Sequence, residues 1–288
     1  MARDILKAKL DIIFKKLFSD KNNEDLLTDL IASLLDIPVN SIEQIEIKNT
    51  EILPEDISQK VGRMDLKLKV DGRLVNIEMQ INPHSGFKDR VLYYWSKLYC
   101  EGLGSGDKYT DLKQTVSISI LNFNLFDCPE FHSVFKVKED KREELLTDKL
   151  AIHFFELKKI NKKVNQNDRM ELWLQLINAE TEEELTMLNE TNVPEIKKAV
   201  RVIREMSDDD RIRELVWQRE KDMHDRATEL WDAKREGRAE GRAEGRAEGR
   251  AEGRAEGQAK ERDILIKKLR KSGMTDERIN EILSLGVD

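Results

Sequence analysis

The chain is short of cysteine, proline and aromatic residues: it has two cysteines, five prolines and 6% aromatics in 288 residues. Cys100 and Cys128 stand without a partner cysteine at ligand spacing, which excludes a disulfide framework and a cysteine zinc motif and points away from secretion. No run approaches the roughly 18 apolar residues that a membrane helix needs. The opening MARDILKAKLDIIFKKLF intersperses charge where a signal segment would carry an apolar stretch. The expected compartment is the cytoplasm, with no membrane partner. No Gly-rich phosphate loop and no Ser/His/Asp arrangement occurs, which excludes a P-loop ATPase and a serine hydrolase.

Positive charge is also in deficit: 50 Lys and Arg stand against 57 Asp and Glu, for a net charge of −7. Non-specific nucleic-acid binding is mostly phosphate neutralisation and leaves a basic chain. The acidic balance therefore disfavours a plain DNA-binding module. A chain that handles DNA with this charge needs local help, such as a divalent cation held by acidic residues.

Charge of both signs is abundant, at 37% of residues against roughly 25% in an average globular chain. The length suits one core of about 160 to 200 residues with appended elements. Leu26, Leu27, Leu30, Ile31, Leu34 and Leu35 mark one face of a helix from Glu24 to Leu35, closed by Pro38. Ile12, Ile13, Phe14, Leu17 and Phe18 suggest a helical turn or two before it. A strand is expected from Ile42 to Leu53. VGRMDLKLKV and LVNIEMQI each alternate apolar and polar residues about Asp71-Gly72, a strong hairpin signal. A helix from Ser85 to Leu103, N-capped by Ser85, a strand from Thr115 to Asn122, and a strand pair at Phe131–Val137 and Leu150–Leu157 follow. The fold class is α/β, a mixed central sheet flanked by helices with a helical C-terminal extension.

Residues 1–163 are expected to form the core and 164–236 a helical region, with Ser207 heading one of its helices. GRAE recurs five times in tandem from Gly237 to Glu256, within a spacer assigned to 237–260. That period puts like charges at i, i+4, and its glycines oppose helix by roughly 5 kcal/mol in total relative to alanine, so a flexible or marginally helical spacer is expected. With Arg and Glu in balance and no aromatic residue, it does not read as a nucleic-acid tail. Residues 261–288 read as a helical hairpin turning at Gly273, with Thr275 as N-cap and Met274 and Ile279 as a staple. It is a candidate surface for homo-oligomers.

A two-residue turn at Asp71-Gly72 pairs Val70 with Arg73, Leu68 with Val75, Leu66 with Ile77, Asp65 with Glu78 and Met64 with Met79. The apolar pairs then share one face. Asp65 and Glu78 meet on the other, along with Arg63, Lys67, Asn76 and Gln80. Two carboxylates about 5 Å apart repel by about 3 kcal/mol at an effective dielectric near 20. A divalent cation would offset this, since Mg²⁺ is commonly held by one or two carboxylates with waters and phosphate oxygens. Arg63 and Lys67 on a solvated face could neutralise the pair instead. His84, in the loop after Pro83, is close to this face, where a loop histidine is more often bystander than base.

Asp65 followed on the next strand by Glu78-x-Gln80 resembles the PD-(D/E)XK nuclease signature. The words DIIFKKLFSD, GRMD, NIEMQ, FKDRVLYYWSKLY, TVSISILNF and FHSVF are similar to the Rpn family of recombination-promoting nucleases, also described as transposases. The resemblance runs from about Asp11 to about Leu157. It implies a restriction-endonuclease-like core and Mg²⁺-dependent DNA cleavage, with Mn²⁺ or Ca²⁺ as alternative ions, in the setting of recombination or element mobility. It further implies that Asp65 and Glu78 bind the metal and that Gln80 completes the catalytic set in the place of the superfamily lysine. A neutral glutamine can place water but supplies no positive charge, so Lys67 and Lys88 become candidates for that charge. Glu24 is the candidate for the acidic residue that the superfamily often places upstream, although a glutamate in a first helical turn already has a dipole reason to be there. Arg90 and Tyr94 on the following helix are candidates for phosphate contact.

Overall fold

The structure is a computed structural model and describes residues 4–48, 51–52, 62–63, 65–83, 85–161 and 163–285. In chain order the elements are α1 (Asp11–Ser19), α2 (Glu24–Leu35), β1 (Ile45–Lys48), β2 (Glu51–Ile52), β3 (Gly62–Arg63), β4 (Leu66–Val70), β5 (Arg73–Gln80), α3 (Phe87–Glu101), β6 (Thr115–Leu121), β7 (His132–Phe135), β8 (Leu150–Glu156), α4 (Arg169–Asn178), α5 (Glu182–Asn189), α6 (Pro194–Asp208), α7 (Asp210–Lys271) and α8 (Asp276–Leu285). The Arg63 side chain, Met64 and His84 lie outside the described residues, as does Leu53 at the end of the expected first strand. The chain divides into two compact units, Met1–Trp217 and Gln218–Asp288. No helix among the described residues is long and apolar enough to cross a membrane.

The hairpin forms because Asp71 and Gly72 both accept positive φ, 47° and 83°, as a two-residue type I′ turn requires. The Asp71 carboxylate also accepts the Glu43 and Gln44 N–H groups at 3.0 Å each, tying the turn to the approach of β1. The register is Leu66 to Ile77, Leu68 to Val75 and Val70 to Arg73. The six-stranded sheet runs β1-β4-β5-β6-β8-β7. Its centre, β5 with β6 and β6 with β8, is parallel, and its flanking pairs are antiparallel.

The two faces of the sheet differ in chemistry. Leu66, Leu68, Val75, Ile77, Val116 and Ile118 enter one buried cluster with α1, α2, α4 and α6. That cluster continues without a break through Leu172, Trp173, Val200 and Val216, so helices from the region after residue 163 pack on this face of the sheet. Trp173 is fully buried, and its indole N–H donates to Asp29 Oδ2 at 2.7 Å. The opposite face carries α3, whose Phe87 and Val91 pack with Leu121, Ile152 and Phe154. This face also carries buried polar residues, Asn76, Glu78, Ser117 and Ser119 among them.

Two local expectations are corrected. The helix after the hairpin is N-capped by Gly86 at φ 75° and begins at Phe87, because the left-handed residue breaks the helical path after Ser85. Ser207 sits inside α6, where its hydroxyl donates to Ile203 O at 2.7 Å and accepts from Leu6 N; Asp209 heads α7 instead, accepting from Arg211 N and Ile212 N. Of the two forms expected for the GRAE repeat, flexible or marginally helical, the structure has the helical one, within α7. Three of its four positions are strong helix formers, and a repeat extended from a neighbouring helix bears no nucleation cost. Past α7, Gly273 takes φ 83° and Thr275 precedes α8, whose Ile279 is buried.

Candidate active site

The Met79 N–H, which the hairpin register aims toward β4, donates to Asp65 Oδ2 at 2.8 Å. The β4–β5 ladder ends at Leu66 and Ile77, so Asp65 stands just beyond it as a side-chain anchor and not as the next paired residue. Its charge reaches Glu78, whose pKa it raises. Asp65, Glu78, Met79, Gln80, Arg90 and Tyr94 line one pocket of about 130 Å³.

Burial is the largest influence on both carboxylates. It pushes Asp65 up, against the Met79 N–H bond and Lys15, with the Asp11 charge adding to the rise. It pushes Glu78 up, against the Arg90 guanidinium and the Asn76 amide, with the Asp65 charge adding to the rise. Asn76 Nδ2 donates to Glu78 Oε1 at 3.3 Å. Arg90 Nη2 lies 3.7 Å from Glu78 Oε2 and donates to Gln80 Oε1 at 2.8 Å. The Gln80 amide is held from its other end, since Nε2 donates to Asn82 O at 2.9 Å.

Three residues suggested by the sequence lie elsewhere. Glu24 is exposed in the first turn of α2 and does not line the pocket. Lys67 is buried and ion-paired with Glu101 at the end of α3. Lys88 lies over the Phe126 ring, 4.7 Å from its centroid. In their place α1 contributes two charges: Lys15 Nζ lies 3.4 Å from Asp65 Oδ1, and Asp11 raises the Asp65 pKa. The missed signal was in DIIFKKLFSD, where Asp11 and Lys15 stand at i, i+4, away from the buried Ile13, Phe14, Leu17 and Phe18.

The donors suit a hard divalent cation. Two desolvated carboxylates face one small pocket, and Asn76 Oδ1 and Ser119 Oγ, flanking Glu78 along and across the strands, are buried without a protein partner. Mg²⁺ takes one or two carboxylates and fills the rest of its octahedron with water and phosphate oxygens. Among the described residues no group of three or more His, Cys, Asp or Glu is placed to hold an ion.

The sheet, the carboxylate pair and the helix that follows agree with a family-level match: residues 8–233, well over half of the chain, match the family described as PD-(D/E)XK nuclease family transposase. The chain belongs to that family. No curated protein and no solved structure matches it.

Proposed function

We propose that this chain is a metal-dependent DNA endonuclease that hydrolyses phosphodiester bonds in the cytoplasm and promotes recombination or element mobility. The supporting observation is the convergence of the Asp65 and Glu78 carboxylates, both buried and both raised in pKa, in one pocket of about 130 Å³. A bound Mg²⁺, or Mn²⁺ or Ca²⁺ in its place, would supply Lewis-acid polarisation of the scissile phosphate and a more acidic water. Asp65 and Glu78 would hold the ion in their ionised forms. The Met79 N–H fixes the orientation of Asp65 and the Asn76 amide that of Glu78, so the two carboxylates are set before substrate arrives. The wall of α3 keeps bulk water from the strand face that carries Glu78.

One observation favours a second reading, a catalytically degenerate DNA-binding or assembly protein that keeps the fold and oligomerises through its C-terminal helices. No third acidic or histidine ligand gathers with Asp65 and Glu78 among the described residues. Calorimetric titration with Mn²⁺ separates the two. The endonuclease reading expects saturable binding that Asp65→Asn weakens at least tenfold. Absence of binding, or binding indifferent to Asp65→Asn, favours the scaffold.

A further inference from the structure

We propose that Arg90, tethered by Gln80, is the cation of this site: a catalytic guanidinium that grips the scissile phosphate and stabilises the charge that grows on it. The inference rests on the endonuclease reading and deepens it. Gln80 Oε1 accepts from Arg90 Nη2 at 2.8 Å, while Gln80 Nε2 donates to Asn82 O at 2.9 Å. With its amide held at both ends, Gln80 is a fixed post for the guanidinium. The guanidinium lies over the Phe87 ring, 5.2 Å from Cζ to centroid. Arg90 Nη2 is also 3.7 Å from Glu78 Oε2, so the guanidinium stays next to a proposed metal ligand without closing on it.

Arg90 Nε is buried and has no protein partner. A buried N–H left unpaired is costly, and the guanidinium presents its donors in a planar fork that fits two phosphate oxygens. The side chain is 32% exposed, so a phosphate entering the pocket can reach it. Among the described residues, Lys15, Lys67 and Lys88 near this face are engaged, with Asp65, Glu101 and the Phe126 ring.

In the hydrolysis, a water oxygen forms a bond to phosphorus as the bond from phosphorus to a sugar oxygen breaks. The water's proton passes to solvent, and the leaving sugar oxygen takes one from solvent. Arg90 neither gives nor takes a proton, because a guanidinium keeps its charge in proteins. Its part is to pair with oxygens whose charge increases in the transition state.

The test compares the full-length parent with Arg90→Gln, the double variant Gln80→Lys/Arg90→Gln, and Glu78→Gln as the inactive control. Each is followed for plasmid cleavage, Mn²⁺ binding and duplex binding in Ca²⁺. Arg90→Gln should lower kcat about 10²- to 10³-fold while Mn²⁺ binding is retained and no weaker than in the parent, since the guanidinium beside Glu78 is a competitor for the ion and not a ligand. It should reduce the slope of log K for duplex against log salt by about 1, as loss of one phosphate contact does. The double variant, which moves the cation from α3 to β5, should recover at least tenfold in kcat over Arg90→Gln. Parent-like cleavage by Arg90→Gln, loss of Mn²⁺ binding along with cleavage, or a double variant no faster than Arg90→Gln would each overturn the role of Arg90 while leaving the endonuclease reading in place. If the parent does not cleave, or Glu78→Gln cleaves as well as the parent, the endonuclease reading fails and the role of Arg90 falls with it.

Discussion

Lys15 Nζ lies 3.4 Å from Asp65 Oδ1, so helix α1 sets a cation against one of the two carboxylates of the pocket. A lysine there competes with a divalent ion for the same oxygen. The pair is partly exposed, at 39% and 19% for the two side chains, which limits the effect to the order of 1 kcal/mol. Lys15→Met is therefore expected to tighten Mn²⁺ binding about fivefold in a calorimetric titration. Weaker binding would show instead that Lys15 orients Asp65 for the ion.

Burial holds Glu78 above its ordinary value of 4.5, and Asp65 above its own. A carboxylate raised on folding binds its proton more tightly in the native chain, so its contribution to stability is present at low pH. That contribution is lost as pH climbs through the folded value. At neutral pH the ionised pair is a cost to the fold. Glu78→Gln should raise Tm at pH 8 by about 2–4 °C, the shift expected from about 1 kcal/mol, with a smaller rise at pH 5, while cleavage falls by at least about 10²-fold. Scanning fluorimetry at the two pH values checks this, and a lower Tm at pH 8 contradicts it. For the same reason the pH at which cleavage sets in should fall as metal concentration increases, since the ion competes with the protons.

His132 and His153 share a hydrogen bond at 3.1 Å, from Nε2 of one to Nδ1 of the other, and stack with Phe155. Burial, then the charges of His132 and Lys136, push His153 down to about 4 from 6.5. A histidine lowered in this way is proton-poor when folded, so the unfolded chain binds more protons between those values. Its stability contribution is complete above 6.5 and is lost as pH falls toward 4. The span corresponds to on the order of 3 kcal/mol. His153→Phe should move the acid-unfolding midpoint to lower pH by circular dichroism. An unchanged midpoint would mean that another group dominates the acid limb.

The repeat glycines stand in helix with no atom within 4 Å of an added Cβ at Gly245. Gly245→Ala should therefore stabilise the local helix by about 1 kcal/mol and slow amide exchange there, with plasmid cleavage unaffected. Faster or unchanged exchange would contradict a helical repeat.

The features legible in the sequence were those fixed by local chemistry. Asp71-Gly72 specifies its turn, and the turn dictates the register that carries Asp65 and Glu78 toward each other. Leucine spacing marks α2 to the residue. What depends on long-range packing was not legible. Nothing local says that Trp173 donates to Asp29, a contact across 144 residues that draws α4 into the core. Nothing local tells that Lys15 rather than Lys67 meets Asp65, because that choice depends on where α1 docks and on Glu101 claiming Lys67. The Ser85 cap failed because Gly86 takes a left-handed turn that composition alone does not fix. For the repeat, glycines and like charges weigh against helix while the Arg, Ala and Glu positions and the helix that feeds it weigh for it, so local chemistry leaves flexible and marginally helical both open.

The most direct measurement is cleavage of supercoiled plasmid by purified parent and Glu78→Gln, side by side, in Mg²⁺, Mn²⁺, Ca²⁺ and EDTA. The account predicts nicking by the parent in Mg²⁺ or Mn²⁺, none in EDTA, and at least about 10²-fold less by Glu78→Gln. Equal cutting by both proteins, or no cutting by the parent in any ion, would contradict it.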